Sequence, residues 1–305
     1  MDISEKFKKG AEKHTYQRID SQYKVDIFLG YNDDGQMSMV ITESGKTNNV
    51  KSSKYINVSL MKREDGKMAL SFDLLEDTYK SVFIIFCKDM ISVCEEGGKN
   101  KAVEKALIRW KYWKEMFGKK KSDLLDILRI KGLIGELLEL KNYFMKNYDE
   151  STAINAWMGP LMGHKDFEID NTWYEVKSIT ENAVKVDISS LEQLDSADDG
   201  YLVIIRLEQT SSVNNKAIDL NSMVLSVSDT IFSPDVREHF MNKLDNAGYT
   251  YDEEYNKYCF LYKGTEYYNI NNKFPRLTRS NLNQAIGNAQ YTILLACISD
   301  FREDK

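Results

Sequence analysis

The stretch from His164 to Lys177 runs His-Lys-Asp-Phe-Glu-Ile-Asp-Asn-Thr-Trp-Tyr-Glu-Val-Lys, and its alternation of apolar and charged side chains restricts the local fold more than any other segment. A period of two puts Phe167, Ile169, Tyr174 and Val176 on one face of a β-hairpin, and Asp166, Glu168, Glu175 and Lys177 on the other. With Asn171-Thr172 as a two-residue turn, Asp166 falls opposite Lys177 and Glu168 opposite Glu175, with diagonal neighbours in reach of one another. Three carboxylates and one lysine then share a surface. Like charges at that density repel unless they are solvated or gathered round a hard cation, and oxygen donors suit Mg²⁺ or Mn²⁺. An acid two residues before a lysine means little by itself, since it recurs at Asp65/Lys67, Glu139/Lys141 and Glu303/Lys305. Glu175/Lys177 differs in its strand-like setting, its apolar opposite face and the aspartate nine residues upstream across a turn.

Around this hairpin the chain reads as three parts, 1–98, 99–210 and 211–305. The first is β-rich, with strand patterns at 23–29, 36–41, 55–60 and 67–72, turns at Asn32-Asp-Asp-Gly35 and Glu64-Asp-Gly66, and an apolar run from Ser81 to Phe86 that reads as a buried strand. The second opens with helical periodicity, one helix through Trp110 and Trp113 and another over about 122–146. Strands follow at 166–170, 173–179, 184–188 and 201–208, with a short helix capped by Ser189 or Ser190 before the last. Beyond a polar linker at 208–215, the third part is α plus β: a helix over 235–244, a break at Asn246-Ala-Gly248, an aromatic strand pair around 258–268 and a final apolar strand. The expected fold class is α/β with a mixed sheet.

With 305 residues, 42% of them hydrophobic, the chain can bury a large core, and a net charge of -6 argues against a protein that wraps nucleic acid in basic surface. Any DNA contact must be local; Lys6, Lys8, Lys9, Lys13, the run Lys119 to Lys121, Arg276 and Arg279 are candidate phosphate ligands, and equally ordinary solvated charges. No apolar run approaches the roughly 18 residues of a membrane-spanning helix, and the charged start lacks an apolar leader core, so a cytoplasmic location is expected. Cys87, Cys94, Cys259 and Cys297 form no CxxC pair, which excludes common zinc spacings; all four read as buried thiols. Gly45-Lys46-Thr47 mimics the end of a phosphate-binding loop, but the earlier glycine of that motif is replaced by Val40, leaving no ATPase signature. The tyrosines Tyr249, Tyr251, Tyr255, Tyr258, Tyr262, Tyr267 and Tyr268 fit strand-core packing, and a DNA or partner surface is the alternative.

Several motifs together resemble the PD-(D/E)XK nuclease superfamily, and more closely a family of PD-(D/E)XK motif proteins from bacterial restriction and phage-defence loci. They are Lys131-Gly-Leu-Ile-Gly-Glu-Leu-Leu138, Trp157-Met-Gly-Pro160, His164-Lys-Asp-Phe167 with Glu175-Val-Lys177, Leu244-Asp-Asn-Ala-Gly-Tyr249 and Lys273-Phe-Pro-Arg-Leu277, spanning about 110–290. Lys165 stands where the motif's name has proline, which leaves the aspartate in place. The resemblance implies a restriction-endonuclease-like core in which Asp166, Glu175 and the main-chain carbonyl of Val176 hold Mg²⁺, or Mn²⁺. It implies that Lys177 orients or activates the attacking water and offsets negative charge, and that Glu136 approaches from the helix as a second-metal or water ligand. Gly132 and Gly135 beside it would let that helix lie close to the sheet. Gln193 takes the place of a glutamine that contacts phosphate or the lysine. On residue pattern alone Glu136 is equally a solvated helix charge, Glu168 an outer carboxylate or exposed, and His164 structural.

The implied activity is Mg²⁺-dependent endonucleolytic cleavage of double-stranded DNA without a covalent intermediate. One site cuts one strand, so a double-strand break needs a homodimer or two nicks. Implied partners are a helicase-type or histidine-kinase-like ATPase and a cytosine methyltransferase of a restriction-type system. Two other readings stay open: a non-cleaving DNA-binding or scaffolding subunit with a nuclease-like fold, and an unrelated α/β protein whose charged hairpin is solvated.

Overall fold

The computed structural model describes residues 3–7, 13–20, 22–44, 50–97, 101–116, 124–161, 163 and 165–305. Lys8, Lys9, the Gly45-Lys46-Thr47 segment, Lys119 to Lys121 and His164 lie outside them. The architecture is mixed α plus β, as the sequence leads one to expect, and divides into two compact units, residues 1–123 with 232–234, and 124–231 with 235–305.

In the first unit β1 (Thr15–Arg18), β2 (Asp26–Tyr31), β3 (Met37–Glu43), β4 (Ile56–Lys62) and β5 (Met68–Leu74) make an antiparallel sheet in the order β1-β2-β3-β5-β4. Gly35 and Gly66 occupy the two expected turns at φ 81° and 83°, a conformation that favours glycine. The run Ser81 to Phe86, expected as a strand, instead opens helix α1 (Lys80–Gly97). Five apolar residues in a row do not distinguish strand from helix, but Phe83, Phe86, Cys87, Met90 and Cys94 continue at intervals of three and four, and each is fully buried. Helix α2 (Ala102–Met116) follows, its first amides Ala102 and Val103 capped by the buried Glu43 carboxylate at 2.9 and 3.1 Å. Asp89 of α1 takes Arg109 at 2.7 and 3.0 Å and the Trp113 indole at 2.7 Å, so this buried acid is fully occupied.

The second unit is built on a five-stranded mixed sheet, β12-β10-β9-β7-β6, from β6 (Phe167–Ile169), β7 (Thr172–Ile179), β9 (Gly200–Thr210), β10 (Cys259–Ile270) and β12 (Arg302–Glu303). Strands β7 and β9 are parallel and the other pairs antiparallel. The crossover between β7 and β9 carries β8 (Lys185–Ile188), which pairs with β11 (Tyr291–Leu294), and a single 3-10 turn, Leu191–Gln193, where a short helix was expected. The aromatic segment 258–268 is one long strand, β10, not a pair; it bends at the register shift between Tyr262 and Gly264 instead of reversing. The final apolar run is strand only to Leu294 and then winds into a 3-10 helix, Leu295–Phe301.

Alternation along β7 and β9 sorts two cores. Tyr174, Val176, Val203 and Ile205 face one side, covered by α3 (Ile127–Glu139), α5 (Glu150–Ala156), α6 (Leu220–Ser228) and α7 (Pro234–Asn246), while Trp173, Leu202 and Ile204 pack with Val186, Ile188 and Ile293 on the other. A π-turn at Leu140–Phe144 and the single turn α4 (Met145–Asn147) prolong α3. Asp126 caps α3 through the amides of Leu128 and Arg129, and its buried stripe of Ile130, Leu133, Ile134, Leu137 and Leu138 is the helical pattern seen in the sequence. Of the two glycines on this helix only Gly135 is needed for close approach: a Cβ there would stand 2.0 Å from Ser178 Oγ, whereas none of the sheet comes within 4 Å of Gly132. Cys87, Cys94 and Cys259 are buried as expected; Cys297 is exposed.

Candidate active site

The hairpin expected over 166–177 forms, with a shifted turn. Asp170 and Asn171 make the turn, both at positive φ, and the pairs are Phe167/Tyr174, Glu168/Trp173 and Ile169/Thr172. Asp and Asn tolerate this left-handed conformation better than a β-branched threonine does, which explains why Thr172 enters the strand instead. Asp166 therefore lies across from Glu175, not Lys177. Each face keeps its members, but Glu168 is exposed, and the expected convergence of three carboxylates from the hairpin does not occur.

Strands β6 and β7 part at Asp166. Its amide still donates to Tyr174 O at 3.1 Å, but its carbonyl turns away to accept from Met158 N and Gly159 N at 2.7 and 3.1 Å. The amide of Val176 would lose its partner at that fork; instead it donates to Asp166 Oδ2 at 2.7 Å. The aspartate side chain thus completes the ladder and is fixed by it. One residue before Val176, Glu175 is 2% exposed, and its Oε1 lies 2.8 Å from Lys177 Nζ, also on β7.

The third acid comes from the helix. Glu136 accepts from the Trp157 indole at 2.8 Å, and the point where a Cβ on Gly159 would sit is 2.6 Å from Glu136 Oε2 and 3.2 Å from Asp166 Oδ1. Glycine at 159 is what allows both carboxylates to close on the same spot. Asp166, Glu136 and Lys177 are half-buried, so the cluster reaches the surface.

Burial is the main reason the Glu175 carboxyl is pushed up to about 8, with the negative charge of Asp166 next and Lys177 opposing. Burial and then Asp166 hold Glu136 well above the usual carboxylate range, against the indole hydrogen bond. Burial also raises Asp166, with the Val176 amide opposing. Three hard oxygen donors that burial and mutual repulsion drive toward protonation suit a divalent cation, whose charge would relieve both. Among the described residues no group of three or more His, Cys, Asp or Glu side chains is gathered closely enough to hold a metal ion. A cation here would have one carboxylate pair to draw on, Glu136 Oε2 and Asp166 Oδ1, which face the same spot at Gly159.

Gln193 turns its Oε1 to the Ser189 amide at 2.7 Å, and its carbonyl takes part in a second arrangement. Lys165, only 5% exposed, donates to the carbonyls of Glu192, Gln193 and Asp195 at 2.7, 2.7 and 3.2 Å, and sits 3.9 Å over the Trp173 ring. Burial lowers its pKa to about 8. Arg276 donates to Leu194 and Ser196 carbonyls, and Arg279 binds Glu192 at 2.7 Å, so both candidate phosphate ligands brace this same turn. A second buried lysine, Lys243 of α7, donates to the carbonyls of Ile154, Asn155 and Trp157 and so secures the segment that carries Trp157. Neither lysine stands out in the sequence as a site residue. The only hint for Lys165 is its place directly before the aspartate.

A family model described as "Putative PD-(D/E)XK family member, (DUF4420)" matches residues 4–296, nearly the whole chain. No curated protein and no solved structure matches significantly.

Proposed function

The chain belongs to this PD-(D/E)XK family, and on that premise we propose that it is a metal-dependent endonuclease that hydrolyses phosphodiester bonds of double-stranded DNA. The observation that carries the reading is the fork at Asp166, where a strand-end aspartate and Glu136 from the facing helix close on Gly159, with the Glu175/Lys177 pair on the adjoining strand β7. Asp166, Glu175 and the Val176 carbonyl would hold Mg²⁺ or Mn²⁺, with Glu136 alongside. When bound, the ion supplies positive charge against phosphoryl oxygens and lowers the pKa of water.

The protein's own groups do the rest. Lys177, half-buried and held 2.8 Å from Glu175, presents an ammonium to the phosphate and to the attacking water, offsetting charge as it develops. The Val176 amide and the Trp157 indole fix the acidic side chains before substrate arrives, which spares reorganisation during reaction. Gln193 acts through the 189–193 turn it closes, and Lys165 anchors that turn beside Asp166. A cytoplasmic role in restriction or phage defence fits this chemistry, with a helicase-type ATPase and a cytosine methyltransferase as partners and a homodimer for cutting both strands.

The second reading, a non-cleaving DNA-binding subunit, draws on one observation, the lack of a gathered metal cluster among the described residues. Supercoiled plasmid incubated with protein plus Mg²⁺, protein plus EDTA, and Lys177→Ala plus Mg²⁺ separates the two. Nicked or linear product in the first tube alone is the expected result. Equal retention of DNA in all three tubes with no cleavage, also after adding the neighbouring gene products, establishes the binding subunit instead.

A further inference from the structure

On the helix-covered face of the sheet four tyrosine rings surround one ammonium group. Lys305 Nζ lies 3.3 Å from the ring centroid of Tyr201, 4.9 Å from Tyr174, 5.3 Å from Tyr143 and 5.9 Å from Tyr267. It also reaches the hydroxyls of Tyr174 and Tyr143 at 3.3 and 3.5 Å. The register places these rings together: Tyr174 pairs with Tyr201 across β7 and β9, Tyr267 of β10 pairs with Val203 two residues farther along β9, and Tyr143 closes the box from the π-turn.

Core packing accounts for the buried rings of Tyr174 and Tyr267, but not for the charge that lies beneath them. Glu139, 1% exposed, receives the Tyr267 hydroxyl at 3.1 and 3.0 Å. A buried carboxylate is costly without a cation to face, and four electron-rich rings above it attract the same charge. Lys305 itself is exposed, and Glu303 beside it is tied to Tyr201 and Asn269 at 3.1 and 2.9 Å, so the box opens to solvent on the side where the lysine enters.

We propose that Tyr143, Tyr174, Tyr201 and Tyr267, with Glu139 beneath them, form a binding site for an alkylammonium group, which Lys305 fills in cis. The site is separate from the Asp166 cluster: Tyr174 and Glu175 are neighbours on β7 whose side chains leave opposite faces of the sheet.

Tetramethylammonium chloride is the probe, titrated against full-length wild type and Lys305→Ala at constant ionic strength set with sodium chloride, and read from the broadening of its methyl proton signal. The open cage of Lys305→Ala binds it saturably and about tenfold or more tighter than wild type, where the lysine competes. Adding Tyr201→Ala to Lys305→Ala abolishes binding, and adding Tyr201→Phe, which keeps the ring, preserves it. In wild type the Lys305 ε-methylene resonance shows a ring-current upfield shift that Tyr201→Ala removes. Equal weak binding by wild type and Lys305→Ala, binding that survives Tyr201→Ala, or an unshifted ε-methylene signal overturns the proposal.

Discussion

Glu139 offers a measurement whose sign and size both follow from its surroundings. Burial raises its pKa from 4.5 to about 7, against the smaller opposing effects of the Tyr267 hydroxyl and Lys305. A carboxyl raised in the folded state binds its proton more tightly there than in the unfolded chain. Its contribution to stability is therefore complete below pH 4.5 and disappears as pH rises through 7. A shift from 4.5 to about 7 corresponds to roughly 3 kcal/mol across that window. Glu139→Gln keeps the shape and can still pair with Tyr267 but cannot ionise, so it lacks this loss. Urea unfolding of wild type and Glu139→Gln, followed by fluorescence from pH 5 to 8.5, should show their stability difference drifting by about 2–3 kcal/mol in favour of glutamine as pH rises. Other acids titrate in the same range but cancel in the difference between the two proteins. A difference that stays constant over the range refutes the assignment of a burial-raised carboxyl at 139.

Gly159→Ala puts a methyl group 2.6 Å from Glu136 Oε2 and 3.2 Å from Asp166 Oδ1. The carboxylate ends can move aside, so the melting temperature should change little while Mg²⁺-dependent plasmid nicking falls about tenfold or more. Lys243→Met leaves the carbonyls of Ile154, Asn155 and Trp157 without their buried donor; the cost in urea unfolding should be about 2–5 kcal/mol. Gly135→Ala puts a carbon 2.0 Å from the Ser178 hydroxyl oxygen, so that the hydroxyl must rotate away or α3 must shift. Thermal melts should report a loss of about 1–3 kcal/mol, which Gly135→Ala combined with Ser178→Gly partly restores.

Much of this molecule can be read from residue order because the informative signals are local. Turns at Gly35 and Gly66 need a left-handed glycine, and alternation in β7 is visible without knowing any partner strand. The run at 81–86 misleads because its six residues suit either conformation, and only the spacing of Met90 and Cys94 farther on decides for a helix. Tyr258 to Tyr268 misleads for the converse reason: the segment reads as two strands, yet β9 runs alongside on both sides of Gly264, and the strand continues through a bulge. Within the site, Asp166, Glu175 and Lys177 are legible because one hairpin holds them. The meeting of Glu136 with Gly159, and the carbonyl cradles of Lys165 and Lys243, depend on residues up to 89 positions apart. Nothing in the neighbouring residues announces them.

Both rims of the five-stranded sheet are nearly bare. Strand β6 has three residues and β12 two, and on the β6 side the aspartate carboxylate already occupies the next free amide of β7. A second polypeptide that extended the pairing along β7 beyond β6 would have to displace Asp166 from the Val176 amide. Self-association through that margin of β7 would therefore dismantle the acidic fork, which leaves the margin to whatever the fork itself engages.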